Sequence, residues 1–186
     1  MSTTRHRIII ESVKLFQRHG YHGTGVAAIL QAAEIPKGSL YHHFPEGKEQ
    51  VASAALDWLT KEIVAFLEAR NQERATGQDM LTGMAKFHGT LSKYEGAVRG
   101  SLIAVLASEC IPDSPRLSKE LAASMSQIEA ILERGFVRQG VSDPAGSATR
   151  SLALLEGAFL MNRIKGQQAD PVLLVQALEQ YPKPAS

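Results

Sequence analysis

The strongest constraint on this chain is the spacing of its apolar residues. They recur at three- and four-residue intervals, in blocks closed by proline and glycine. All eight prolines (Pro36, Pro45, Pro112, Pro115, Pro144, Pro171, Pro182 and Pro184) fall at joints between such blocks. Ile8, Ser12, Leu15 and Phe16 share one face of a first helix that Thr4 can cap and Gly20 can end. A short helix from Val26 to Ala33 follows Thr24, whose hydroxyl suits an N-cap, and a third runs from Pro36 or Lys37 to His43. A long fourth helix begins near Gly47 and continues through Leu56, Leu59, Ile63, Phe66 and Leu67. Later helices read as Asp79 to Tyr94, Ser101 to Ile111, Ser114 to Gln139, Asp143 to Lys165 and Asp170 to Gln180. No alternating pattern of useful length competes, so the expectation is an all-α protein of about nine helices.

Composition narrows the class. The chain has 186 residues, 44% of them hydrophobic and 21% charged, the balance of a globular protein with a real core. A single cysteine, Cys110, rules out an internal disulfide and any paired-cysteine zinc site, which fits a reducing cytoplasm. No apolar run is long enough to span a bilayer, and Met1 to Gly20 lacks the features of a signal peptide, so no membrane partner is expected. The net charge of +1 is uninformative, but its distribution is uneven. Residues 1–50 hold six Lys/Arg against four Glu, and also five of the six histidines. A mild positive bias at one end is compatible with a phosphate-binding face.

The informative stretch is Thr24-Gly-Val-Ala-Ala-Ile-Leu-Gln-Ala-Ala-Glu-Ile-Pro-Lys-Gly-Ser-Leu-Tyr-His-His-Phe44. It describes two short helices and a tight turn, with Val26, Ile29, Ala33, Ile35, Leu40 and Phe44 placed to form a miniature core. Ala28, Ala32 and Ala33 are small enough to let the helices approach. Such a unit suits DNA, because its second helix can enter a major groove about 12 Å wide while the first braces across the backbone. Lys37 and Ser39 sit in the first turn of that second helix, and Gly38 lets the backbone come close. Tyr41, His42 and His43 supply donors suited to phosphate oxygens. Lys48 sets a cation at the head of the fourth helix, where the dipole is already positive, an arrangement that a docked phosphate would favour.

On these residues the chain resembles the TetR family of bacterial repressors. The family pattern of a Thr cap, an Ile-centred helix, Lys-Gly-Ser-Leu-Tyr-x-His-Phe and a downstream Lys is met by Thr24, Ile29, Lys37, Gly38, Ser39, Leu40, Tyr41, His43, Phe44 and Lys48. The form Pro36-Lys-Gly-Ser-Leu-Tyr-His-His-Phe-Pro-Glu-Gly-Lys-Glu-Gln50 is similar to the LmrA/YxaF-type branch. The likeness is strong over residues 5–56 and rests on length and helical layout beyond. It implies phosphate contacts from Thr24, Tyr41, His43 and Lys48, with Lys37, Ser39 and His42 facing the groove. It further implies a three-helix DNA-binding domain over residues 1–47 and a ligand-binding and dimerisation domain over 48–186. Three positions depart from the pattern. Glu34 stands where the turn usually has Gly, Pro36 replaces the usual Ser cap, and Pro45-Glu46-Gly47 adds one residue before Lys48.

The resemblance implies a homodimer that represses transcription from an inverted-repeat operator on double-stranded DNA and is released by a small-molecule inducer. Candidates for the dimer face are Ala153, Leu154, Gly157, Ala158 and Leu160, together with Val172 and Leu173. Candidates for lining an inducer pocket are Trp58, Phe66, Met84, Phe87, Leu91, Leu106, Met125 and Phe159, with His88 as the polar member. A lining with so little charge suits a lipophilic or aromatic ligand.

Catalytic chemistry is not indicated, and no cofactor is expected. Gly23-Thr-Gly-Val-Ala-Ala28 matches a dinucleotide fingerprint in letters, but a helix precedes it where that fold needs a strand. His19 and His22 have metal spacing without acidic or thiol partners at ligand spacing nearby. No phosphate-binding loop, nucleophile elbow or H-E-x-x-H motif is present, and Glu129 with Glu133 reads as a solvated helix face. The alternative to a DNA reader is a helical binding protein or scaffold that keeps the motif as packing.

Overall fold

The local stop signals explain where the helices end. The computed structural model describes residues 4–36, 38–92 and 100–166, except the side chains of 88–92. Among these residues it has eight helices and no strand: α1 (Thr4–His19), α2 (Val26–Ala32), α3 (Ser39–His43), α4 (Lys48–Gln72), α5 (Gly77–Ser92), α6 (Leu102–Cys110), α7 (Pro115–Gln139) and α8 (Pro144–Ile164). The ninth helix, expected over 170–180, lies outside the described residues. None of the described helices is long and apolar enough to cross a membrane.

Side-chain caps set the starts of α6, α7 and α8. Ser101 accepts from the Ala104 N–H (3.3 Å) and Asp143 from the Gly146 N–H (3.0 Å), with Pro144 at the first position of α8. Ser114 accepts from the Leu117 N–H (3.1 Å), which caps α7 just before Pro115. Gly20 and Gly140 close α1 and α7 in the left-handed conformation, at φ +80° and +75°.

Two expectations need correction. Thr24 does not cap α2. Its hydroxyl instead donates to the Gly20 carbonyl (2.7 Å), and the extended residue Gly25 occupies the N-cap. The third helix begins at Ser39 rather than at Pro36 or Lys37, because the Ser39 N–H closes a turn onto Pro36 O (2.9 Å) first.

The described residues form two compact units, one drawn from Met1–Thr60 with Arg99–Ser124 and the other from Lys61–Val98 with Met125–Ser186. The first is built on Ile8, Phe16, Ile29, Leu40, Phe44, Leu56, Leu102, Leu106 and Leu117, all fully buried. In it α1 packs against both α2 and α6. The turn before α4 and the first half of α4 are tied to the first half of α7 and its cap by Ser114 Oγ donating to Glu49 (2.6 Å), by Arg116 with Glu46, and by Thr60 Oγ1 with Ser124 Oγ (3.0 Å).

In the second unit Arg134 pairs with Glu68, while Arg138 donates to Asn71 Oδ1 (2.7 Å) and, through two nitrogens, to Ala75 O (2.7 and 3.1 Å). That carbonyl belongs to the turn after α4, so Arg138 ties α7 to that turn. Along α8, Ala148, Ser151, Leu152, Leu155 and Phe159 face inward.

Candidate nucleic-acid interface

The α2–turn–α3 segment folds around a few large apolar residues. Ile29, Ala33, Leu40 and Phe44 are fully buried, while Val26 and Ile35 are half-buried. Of the three alanines expected at the helix contact only Ala33 is buried; Ala28 and Ala32 are exposed, because they fall to one side of the face that Ile29, Leu30 and Ala33 bury. The turn is a Schellman closure, with Ile35 N–H on Leu30 O (3.1 Å) and Glu34 N–H on Gln31 O (3.1 Å). Glu34 takes the left-handed place at φ +52°, as the sequence requires of a turn that usually holds glycine there.

Helix α3 then has two contrasting sides. Leu40 is fully buried beneath it, whereas Gly38 and His42 are exposed and Tyr41 is 56% exposed. Ser39 and His43 are half-buried, and the His42 and His43 rings meet edge to face at 5.1 Å between centroids. Lys37 lies outside the described residues. At the far end of α3, the Gly47 N–H closes onto Phe44 O (2.9 Å) with Gly47 at φ +73°, and α4 begins at Lys48.

Two of the residues expected to touch phosphate are engaged within the protein. Thr24 is buried and donates to Gly20 O. The half-buried Lys48 donates from Nζ to Tyr21 O (3.0 Å), with the ammonium 4.3 Å from the Tyr21 ring centroid.

Sequence reading passed over Arg5, whose exposed guanidinium sits 5.0 Å from the Phe44 ring centroid beside the end of α3. The signal was there: the first turn of α1 carries Arg5 and Arg7 and no acidic residue. It also passed over Glu109 on α6, which accepts the His22 N–H at Oε2 (2.8 Å). The Glu109 carbonyl pairs with His22 Nε2 at 3.0 Å. Cys110, next in sequence, is 2% exposed, and burial, reinforced by the Glu109 charge, pushes its thiol up to about 11.

The residues expected to line a pocket divide between the two units. Trp58 and the fully buried Leu106 belong to the first, where Trp58 meets His6 edge-on at 6.5 Å. Phe66, Met84, Phe87, Met125 and Phe159 belong to the second. There Phe66 stacks on Phe87 at 5.8 Å, and a Cβ on Gly83 would strike Phe66 Cζ at 2.5 Å. The side chains of His88 and Leu91 lie outside the described residues.

On α8, Ala153 and Gly157 are exposed, Ala158 is half-buried, and Leu154 and Leu160 are 36% and 57% exposed. Met161 and Ile164 extend this outward apolar stripe. Val172 and Leu173 lie outside the described residues. Among the described residues no cluster of three or more His, Cys, Asp or Glu could hold a metal.

The profile described as "Bacterial regulatory proteins, tetR family" matches residues 8–55. The profile "Transcriptional regulator LmrA/YxaF-like, C-terminal domain" matches residues 78–177, more than half of the chain. The chain is 27% identical to the HTH-type transcriptional regulator YxaF of Bacillus subtilis over 183 residues, covering 96% of this chain and 93% of YxaF. It is 40% identical to the HTH-type transcriptional repressor DhaR of Mycobacterium sp. over 149 residues, covering 80% of this chain and 72% of DhaR. A crystal structure of a TetR transcriptional regulator from Legionella pneumophila superposes with a TM-score of 0.86 at 22% identity, covering 98% of this chain and 99% of that one. A two-sided α3 on a short buried core, followed by a helical remainder that the second profile matches, thus identifies the chain as a member of the TetR family of transcriptional regulators, with an LmrA/YxaF-like C-terminal part.

Proposed function

We propose that the protein is a homodimeric repressor that works in the cytoplasm, occupies an inverted-repeat operator and leaves it when a small lipophilic or aromatic ligand binds. The observation that carries this reading is the asymmetry of α3, where Leu40 is fully buried while Tyr41 and His42 are exposed. Lys37, Ser39 and His42 face the groove, Gly38 lets the backbone approach, and Tyr41 and His43 meet phosphates. Residues 1–47 form the reading head, and 48–186 carry ligand binding and dimerisation. The name of DhaR, a repressor, supports the direction of control.

The outward stripe on α8 supports a dimer, since its Leu160 and Ile164 are 57% and 67% exposed although the opposite face of the same helix is already buried. Two heads can then meet major-groove faces separated by roughly 34–36 Å or a multiple of it. Phe66, Met84, Phe87, Met125 and Phe159 are the proposed ligand contacts in the second unit, and their aromatic and thioether character suits an apolar molecule.

The test uses duplexes selected from a random pool by the full-length protein. Inverted repeats with steeply salt-dependent affinity support the proposal. Leu160→Glu should give a monomer by sedimentation, with operator affinity lowered at least about a hundredfold because one head grips one half-site. Selection of no sequence, or a Leu160→Glu dimer that binds normally, overturns it.

A further inference from the structure

Two successive carbonyls in the turn between α1 and α2 are taken by donors. Gly20 O takes the Thr24 hydroxyl (2.7 Å), and Tyr21 O takes both the Thr24 N–H (3.2 Å) and the Lys48 ammonium (3.0 Å). The Tyr21 ring packs against Phe16 at 5.7 Å and lies under the same ammonium at 4.3 Å. From α6, Glu109 holds the next residue through its carboxylate and its carbonyl. Lys48 is the first residue of α4, so one side chain joins the two ends of the α2–α3 segment.

A cation at the start of a helix is opposed by the dipole there. A docked phosphate is one compensation, but the structure supplies another: a carbonyl dipole and the negative face of an aromatic ring, both within the chain. Reaching out to DNA would sacrifice these contacts.

We propose that Lys48 is a positioning residue rather than a phosphate ligand. It staples the first turn of α4 to Tyr21 and thereby fixes the angle at which α2 and α3 meet DNA. This rests on the DNA-binding reading above.

Salt dependence separates the two roles, because each phosphate neutralised contributes about 0.9 to the slope of log affinity against log salt. The experiment measures the full-length protein on its selected duplex by fluorescence anisotropy over a salt series, with Lys48→Met, Lys48→Gln and Tyr21→Leu. Lys48→Met should bind about tenfold more weakly at every salt concentration, with a line parallel to that of the wild type. Lys48→Gln keeps a donor for Tyr21 O but no charge, and should stay within about threefold of wild type on a parallel line. Tyr21→Leu combined with Lys48→Met should be no weaker than the weaker single variant.

A slope lower by about 0.9 per lysine, or about 1.8 per dimer, in either lysine variant overturns the proposal. If Lys48→Met does not fold, the Lys48→Gln line decides alone. Wild-type protein that selects no duplex refutes the DNA-binding reading itself, a result distinct from either slope.

Discussion

Replacing Glu34 by glycine is expected to stabilise the protein. Glu34 sits at φ +52°, is exposed, and occupies the left-handed place of a Schellman closure whose two hydrogen bonds are made by backbone alone. An L-residue in that conformation costs roughly 1–2 kcal/mol, because its Cβ crowds a carbonyl oxygen. Glycine removes the crowding but loses roughly 0.5–1 kcal/mol through its greater freedom in the unfolded chain. The two ranges give a net gain of about 0–1.5 kcal/mol, and its midpoint of about 0.75 kcal/mol raises the unfolding midpoint of a chain of this size by about 2–3 °C.

Urea unfolding followed by circular dichroism, with an unchanged slope against denaturant, measures the effect. Glu34→Ala is the control. It deletes the carboxylate but keeps the Cβ and should lie within about 0.5 kcal/mol of wild type. A glycine variant no more stable than the alanine variant would refute the assignment of strain to the backbone.

Two further predictions concern titrating groups. Cys110, 2% exposed and ionising at about 11, should resist alkylation at neutral pH in the folded protein and react on unfolding; rapid modification of the native state would contradict its burial. Hydrogen bonds from the Thr76 hydroxyl and N–H hold the Asp79 carboxyl below its ordinary value of 3.8. A carboxyl lowered by folding stabilises above that ordinary value, and the contribution disappears as pH falls through the lowered one. Asp79→Asn should therefore lose stability at neutral pH and show a shallower acid limb than wild type; an identical pH profile would remove Asp79 from the account.

Helix order was legible wherever a start or stop is written locally. Ser101, Ser114 and Asp143 begin helices in the sequence reading and act as caps in the fold, and Gly20 ends α1 as expected. The α2–α3 core was legible for the same reason, since Ile29, Ala33, Leu40 and Phe44 follow a period set within 21 residues of sequence. Ala28 and Ala32 were misread because small size does not say which side of a seven-residue helix faces inward.

What the chain did not announce are its long-range polar ties. Lys48 reaches Tyr21 across 27 residues, and Glu109 reaches His22 across 87. No periodicity encodes such pairs. Family resemblance reads Lys48, a cation at a helix start, as a phosphate ligand, and only the fold reveals the internal ring and carbonyl set against it. The apolar stripe on α8 lies between these cases. Its residues were visible in the sequence, but that they face outward emerges only when Leu152, Leu155 and Phe159 are found buried on the other side.

The central claim is that α3 lies in the major groove of DNA, twice, with its exposed side against the bases. Because Cys110 is 2% exposed, a His42→Cys variant can carry an iron chelate at position 42 alone, and cleavage of the selected duplex then reports where α3 lies. The account predicts two clusters of cuts, each centred on a major groove and separated by about one helical turn or a multiple of it. Cuts spread evenly along a bound duplex, or confined to a minor groove, would contradict it.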